Sequence, residues 1–328
     1  MRPYNNNPHR YNNNPYRNHN DYRRHDDYRP KPRVISEDEK RFLSFTAIDP
    51  SPRIILEKGS NDPTIRVMDM ICPIGRGQRG LIVASPGAGK TTILRNICHA
   101  VTKSDPDIKT HCVLINERPE EVTDFKRSVG AKVHYSSMDE SYENHIAVAN
   151  QAMDEAFKDA ATGKDVMLLI DSLTRLARVH NAARPFGGGR TMSGGVDAGA
   201  LEAPRRIFGA ARNTQEGGSI TILATILIET NSRMDDVIFE EFKGTGNMEI
   251  ILSRDIANRR IFPAIDINAS NTRRFELLFA PDELKKIELL RRALAEQNKI
   301  EAAETLLKLI EKFPTNNELL FSFKTLDR

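Results

Sequence analysis

Gly80-Leu-Ile-Val-Ala-Ser-Pro-Gly-Ala-Gly-Lys-Thr-Thr92 reads as a short apolar run, a glycine-rich turn, and a Lys-Thr pair opening a helix. A phosphate-binding loop requires that order. A buried strand is predicted over 81–84, bounded by Gly80 on one side and Ser85-Pro86-Gly87 on the other. Residues 84–90 keep Walker A spacing, with Ala84 where the first glycine usually stands. Gly87 and Gly89 let the backbone curl so that successive N–H groups point inward. A helix predicted from 90 to about 101 places the positive end of its dipole at the same point. Ser85, Pro86, Gly87, Ala88, Gly89, Lys90, Thr91 and Thr92 are therefore candidate nucleotide-binding residues. Lys90 would reach the β- and γ-phosphates of ATP, and the Thr91 hydroxyl would bind Mg²⁺. A glycine-rich turn without function has the same composition, but the strand–loop–helix context favours the phosphate loop.

The chain around this loop has 328 residues, enough for one large α/β domain or two ordinary ones. No apolar run reaches membrane-spanning length and the N-terminus lacks a signal-peptide core, which predicts a soluble, cytoplasmic protein with no membrane partner. Cys72, Cys98 and Cys112 have no paired spacing and no neighbouring histidine cluster. They read as buried thiols in a reducing compartment, and a zinc site is not expected.

The net charge of +3 is unevenly placed. Residues 1–33 carry a balance of +5, and the rest of the chain is slightly acidic. That tail repeats Tyr4-Asn-Asn-Asn-Pro-His-Arg10 as Tyr11-Asn-Asn-Asn-Pro-Tyr-Arg17 and holds almost no aliphatic residue. Such a segment cannot offset its ordering entropy and is predicted to be disordered. Interleaved Arg and Tyr also suit single-stranded nucleic acid, by phosphate pairing and base stacking. A solubilising tail would have the same composition.

Beyond residue 34, short β-type runs are predicted over 40–47 and 53–58, and a strand or helix over 66–71. After the first helix the pattern alternates. Strands are predicted over 111–115, 131–135, 166–170 and 219–227, with helices over 119–128, 142–161, 173–181 and 198–213. Further short strands are predicted over 249–252 and 261–265, and residues 281–328 are predicted helical with a break at Pro314. Strands apolar throughout and spaced by helices imply a mostly parallel sheet covered on both faces.

Val166-Met-Leu-Leu-Ile-Asp171 reads as a Walker B strand, with a carboxylate placed to hold Mg²⁺ at the strand's carboxyl end. Hydrolysis also needs a group that orients or deprotonates water. Leu114-Ile-Asn-Glu-Arg-Pro119 offers Glu117, expected at the end of the adjacent strand. Phe186-Gly-Gly-Gly-Arg-Thr-Met-Ser-Gly-Gly195, with its single cation Arg190, and Glu229-Thr-Asn-Ser-Arg233 are loops suited to gripping a substrate.

Gly75-Arg-Gly-Gln-Arg-Gly-Leu-Ile-Val-Ala84, Gly87-Ala-Gly-Lys-Thr91, Asn116-Glu-Arg-Pro-Glu-Glu-Val122 and Asp171-Ser-Leu-Thr-Arg-Leu-Ala-Arg178 resemble the Rho family of transcription termination factors. So do Ser193-Gly-Gly-Val-Asp197, Phe208-Gly-Ala-Ala-Arg212 and Glu240-Glu-Phe-Lys-Gly-Thr-Gly-Asn-Met248. The resemblance runs from about residue 40 to the end and is specific enough to separate this family from RecA recombinases and rotary ATPase subunits. It implies a hexameric, ATP-dependent RNA–DNA helicase that threads single-stranded RNA through a central channel and dissociates RNA polymerase. The implied fold is a RecA-like P-loop NTPase core, α/β, with a helical C-terminus. A motor domain over 67–328 would follow a connecting segment over 34–66 and the tail over 1–33.

The resemblance also implies site roles. Lys90, Thr91, Asp171 and Glu117 keep the roles given above, and Arg118 lies beside Glu117 in the same motif. Phe262, in Arg260-Ile-Phe-Pro263, matches an adenine-stacking aromatic, and Arg273, in Ser270-Asn-Thr-Arg273, an arginine finger supplied by the next subunit. Residues 184–197 and 230–233 match the family's two RNA-channel loops, so Arg190, Thr191, Thr230 and Arg233 would contact RNA. The chain departs from the pattern in three ways. Fewer than 40 residues precede the match and none reads as a five-stranded OB barrel; Gly87 stands where many relatives have Lys; the glycine loop is one residue longer. A second reading follows, in which the chain binds RNA through its tail and modulates a full-length partner, with weak turnover of its own. A third, a RecA-like DNA-strand enzyme, fits poorly with the motifs at Glu117 and Glu240.

Overall fold

Strands that are apolar at every position must be covered on both faces, and here two helical layers cover them. The computed structural model describes residues 33–184 and 192–323. In chain order these form α1 (Glu37–Leu43), β1 (Ala47–Ile48), β2 (Arg53–Ile54), a 3₁₀ turn (Leu56–Lys58), α2 (Pro63–Ile71), β3 (Ile74–Gly75) and β4 (Arg79–Ala84). Next come α3 (Lys90–Ser104), β5 (Lys109–Glu117), α4 (Pro119–Ser128), β6 (Lys132–Ser137), α5 (Tyr142–Ala161), β7 (Val166–Asp171) and α6 (Leu173–Ala182). A 3₁₀ turn (Ser193–Gly195), α7 (Glu202–Gly209), β8 (Asn213–Thr214), β9 (Ile220–Leu227), α8 (Arg233–Lys243), β10 (Met248–Leu252) and α9 (Arg254–Asn258) follow. The described chain ends with β11 (Asn271–Thr272), a 3₁₀ turn (Phe275–Leu277), α10 (Pro281–Ala295), α11 (Lys299–Lys312) and α12 (Asn316–Phe321).

Seven strands form one sheet in the order β11-β10-β4-β9-β7-β5-β6. All neighbours are parallel except β11, which runs antiparallel to β10 at the edge. The two-residue side-chain period splits each strand between two cores. Ile82 and Ala84 join one core with residues of α2, α3, α4, α10, α11 and α12. Leu81 and Val83 join the other with residues of α1, α5, α6, α7 and α8.

The run 40–47 is not a strand. Ser36 caps α1 by accepting from the Glu39 N–H, three acids occupy the first turn, and Phe42 packs on Phe157 of α5 with ring centroids 5.9 Å apart. Residues 66–71 lie inside α2, started by Asp62 and Pro63. The helix expected over 198–213 is confined to α7. Residues 261–265 give only a single bridge, Leu252 to Ile265, because Pro263 brings no N–H to a ladder. Helices α8 and α9 follow strands β9 and β10 without having been anticipated. Glu117 ends β5, which pairs in parallel with β7, the strand that ends in Asp171, as expected; β9 and β7 separate it from β4.

Most of the predicted tail lies outside the described residues. Its last residue, Arg33, pairs with Glu39 at 2.8 Å and with Asp154. Among the described residues, no helix is long and apolar enough to cross a membrane.

Candidate active site

Parallel strands all deliver their carboxyl ends to one edge, and the site is built there. β4 stops at Ala84, and α3 starts at Lys90 after a turn in which Gly87 and Gly89 have φ of 81° and 98°. An added Cβ would meet nothing within 4 Å at either glycine, so the left-handed backbone, and not crowding, demands glycine.

Lys90 Nζ sits between two carboxylates from different strands. It donates to Asp171 Oδ1 and Oδ2 at 2.7 and 2.8 Å, and to Glu117 Oε1 at 3.1 Å. The Thr91 hydroxyl donates to Asp171 Oδ2 at 3.1 Å, and the Thr225 hydroxyl of β9 donates to Oδ1 at 2.8 Å. Asp171 is fully buried, so this donor set is what makes its charge tolerable.

Glu117 reaches the site through a bulge. The β5–β6 register shifts between Ile115 and Glu117, and Asn116 between them has φ of 55°. The extra residue re-aims the strand end, and Glu117 is only 2% exposed. Arg175, one turn into α6, pairs with Glu117 Oε2 at 2.7 Å and donates to the Asn116 carbonyl. Burial raises the Glu117 pKa above its ordinary value; Lys90 and Arg175 oppose this, and Asp171 adds to it. A buried carboxylate whose pKa is raised, anchored beside a phosphate loop, can take a proton from water.

A polar chain runs from this site to the loop after β9. The Ser85 hydroxyl donates to Glu229 Oε2 at 2.6 Å. Glu229 and Asn231 both have positive φ, at 55° and 60°. The Thr230 hydroxyl donates to Asp235 Oδ2 at 2.6 Å, and Arg178 of α6 holds the same buried carboxylate with two bonds of 2.7 Å. Gly194, within the other predicted loop, lies so close to α8 that a Cβ would stand 2.7 Å from the Arg233 carbonyl oxygen.

The structure thus brings Lys90, Thr91, Asp171 and Glu117 together, next to Ser85, Pro86, Gly87, Ala88, Gly89 and Thr92 of the same loop. Arg118 is exposed and makes no contact with Lys90 or Asp171; its guanidinium pairs with Glu121 at 3.1 Å. Phe262 is half exposed on the segment tied to the end of β10, where the Ser253 N–H donates to the Ala264 carbonyl. That end of β10 registers with Ala84, so Phe262 lies on the loop's side of the sheet. Arg273 lies at the other end, its N–H donating to the Asn247 carbonyl at 2.8 Å. Thr230 and Arg233 flank the start of α8, while Arg190 and Thr191 lie outside the described residues.

Sequence reasoning gave no role to Arg175, Thr225 or Glu229. Arg175 carries a signal, since it lies four residues past Asp171 and the start of a helix aims it back at the strand ends. Thr225 and Glu229 carry none, because their partners depend on β9 entering between β4 and β7.

Residues 64–272 match the model of the ATP synthase alpha/beta family, nucleotide-binding domain. The chain is similar to transcription termination factor Rho of Haemophilus influenzae, 48% identical over 291 residues, covering 88% of this chain and 69% of that protein. Rho of Pseudomonas aeruginosa is 49% identical over 86% of this chain and 68% of its own length, and Rho of Mycobacterium bovis 49% identical over 87% and 48%. The fold also resembles an ATPase of a type III secretion system of pathogenic bacteria, with TM-score 0.71 at 24% identity over 90% of each chain. The secretion ATPase EscN of enteropathogenic E. coli gives TM-score 0.66 at 26% identity, over 85% of this chain and 73% of that one. With Lys90 between the buried carboxylates of Asp171 and Glu117 on an ATP synthase alpha/beta-type nucleotide-binding fold, and nearly half of its aligned residues shared with the Rho proteins, the chain belongs to the transcription termination factor Rho family.

Proposed function

We propose that this chain hydrolyses ATP at the Lys90–Asp171–Glu117 site and uses the energy to move along single-stranded RNA and release it from RNA polymerase. Membership of the Rho family makes it an RNA-dependent ATPase and translocase that terminates transcription. The observation that carries the residue assignment is the placement of Lys90 Nζ within 3.1 Å of both Glu117 and Asp171.

In this reading Lys90 exchanges its carboxylate partners for phosphate oxygens when ATP arrives, and Glu117 accepts the proton of the attacking water. Thr91 and Asp171 are hard oxygen donors of the kind Mg²⁺ takes, and they would hold it. Mg²⁺ would neutralise charge on the phosphates. Phe262 offers a face for the adenine. Arg190, Thr191, Thr230 and Arg233 hold the RNA backbone, with the Glu229–Ser85 and Arg178–Asp235 contacts linking that loop to the nucleotide. Family membership supports a homo-oligomer, a hexameric ring, and action on transcribing RNA polymerase would place it in the cytoplasm.

Adding poly(C) RNA is expected to raise ATP turnover at least several-fold, while duplex DNA leaves it unchanged. Turnover measured alongside particle mass checks both the motor and its assembly. RNA-independent turnover would overturn the motor reading and leave the accessory role.

The base assignment has a pH consequence. Glu117 accepts a proton only when ionised, and burial raises its pKa. Turnover therefore falls as pH drops through a value above the ordinary carboxylate range. Arg175 lowers that pKa, so Arg175→Ala should move the acid limb of the kcat–pH profile to higher pH. An unmoved limb would show that the limb reports another group.

A further inference from the structure

We propose that His111, His134 and Glu155 form a binding site for a divalent transition-metal ion of the Zn²⁺ class, on the β5–β6 edge away from Lys90. His111 lies six residues before Glu117 on β5, about 20 Å at the rise of a strand. In the parallel β5–β6 pair, His111 registers with Lys132 and Val113 with His134. The two histidines therefore share one face, offset by two residues, and α5 lays Glu155 across them.

Three ligand atoms converge. His111 Nδ1 and His134 Nε2 are 3.1 Å apart, and Glu155 Oε2 is 3.6 Å from the latter and 3.9 Å from the former. Ligands about 2.0–2.1 Å from a tetrahedral ion stand roughly 3.3 Å apart, so small side-chain shifts complete the site. Both histidines are 6% exposed. An open cleft of about 500 Å³, lined by Thr110, His111, Lys132, Glu155 and Asp159, gives an ion entry and leaves room for a water as fourth ligand. Two imidazoles and one carboxylate select Zn²⁺, Co²⁺ or Ni²⁺ over Mg²⁺ and Ca²⁺.

The competitor is visible. Lys132 Nζ donates to Glu155 Oε2 at 2.6 Å from a side chain 56% exposed. The ion has to displace this lysine, and the displacement provides the test. The sequence also carries His9, His19 and His25, so total zinc uptake does not isolate the site. Co²⁺ added to the metal-free full chain should give a tetrahedral visible absorption band that Zn²⁺ abolishes. His134→Gln and Glu155→Gln, each removing a direct ligand, should weaken Zn²⁺ binding at this site by at least the roughly 10- to 100-fold that loss of an outer-shell partner costs. Lys132→Ala, a change at the rim that leaves the core intact, should tighten it severalfold by freeing Glu155. Zn²⁺ should raise the melting temperature of the wild type and of Lys132→Ala more than that of Glu155→Gln. A missing cobalt band, or equal zinc affinity in the wild type, Lys132→Ala and Glu155→Gln, would overturn the proposal, and neither outcome depends on the folding of the His134 variant.

Discussion

Glu117→Gln is expected to lower ATP turnover by about 10²–10⁴-fold while changing ATP affinity only severalfold. Gln keeps the size of the side chain, and its carbonyl oxygen can still accept from Lys90. What it loses is the ability to take a proton. The burial that raises the Glu117 pKa makes it a better base than an exposed carboxylate, so the loss falls on the chemical step. Lys90→Ala is a less clean probe, because it strips both Glu117 and the fully buried Asp171 of their shared cation and disturbs folding with catalysis. Single-turnover hydrolysis against equilibrium ATP binding separates the two effects for Glu117→Gln. Turnover within tenfold of the wild type would remove Glu117 from the role of base.

The local parts of this site were legible because each is written in consecutive residues. The turn at Gly87 and Gly89, the helix behind it and the strand ending in Asp171 are set by backbone chemistry and apolar runs. Helices α4 and α5 keep the predicted bounds, the first opened by Pro119 and the second capped by Ser141. Strand order was not legible, since a parallel crossover can return on either side of its neighbour. That single uncertainty hid Thr225 from Asp171 and Glu229 from Ser85. The bulge at Asn116 was hidden too, because nothing in Ile-Asn-Glu distinguishes a shifted register from a regular one. Helix α1 was missed for a different reason: the run 40–47 was judged by its apolar residues, and its cap at Ser36 lies outside that run. The histidine cluster escaped the spacing test because its ligands are 23 residues apart on neighbouring strands and meet a third from a helix.

Arg273→Ala is expected to leave ATP binding nearly intact and to lower RNA-stimulated turnover by about 10³–10⁵-fold, the range of an arginine finger. Within one chain Arg273 is on the wrong side of the sheet. Thr272 pairs with Met248, and Met248 registers with Gly80 at the start of β4. The Asn247 N–H donates to the Arg79 carbonyl at 2.9 Å and the Asn247 carbonyl accepts from the Arg273 N–H at 2.8 Å, which ties Arg273 to the strand's first residue. The phosphate loop begins after Ala84, about 17 Å away along the strand. If Arg273 acts as a finger, that separation assigns it to a neighbouring copy, and its exposure leaves it free to reach one. The test is a mixture of two inactive variants. In Arg273→Ala with Glu117→Gln, a site formed by the Glu117 of the first and the Arg273 of the second is intact. An equal mixture should regain turnover at about a quarter of its interfaces if the interface is head-to-tail. If both residues acted within one chain, every site would lack one of them and mixing would restore nothing.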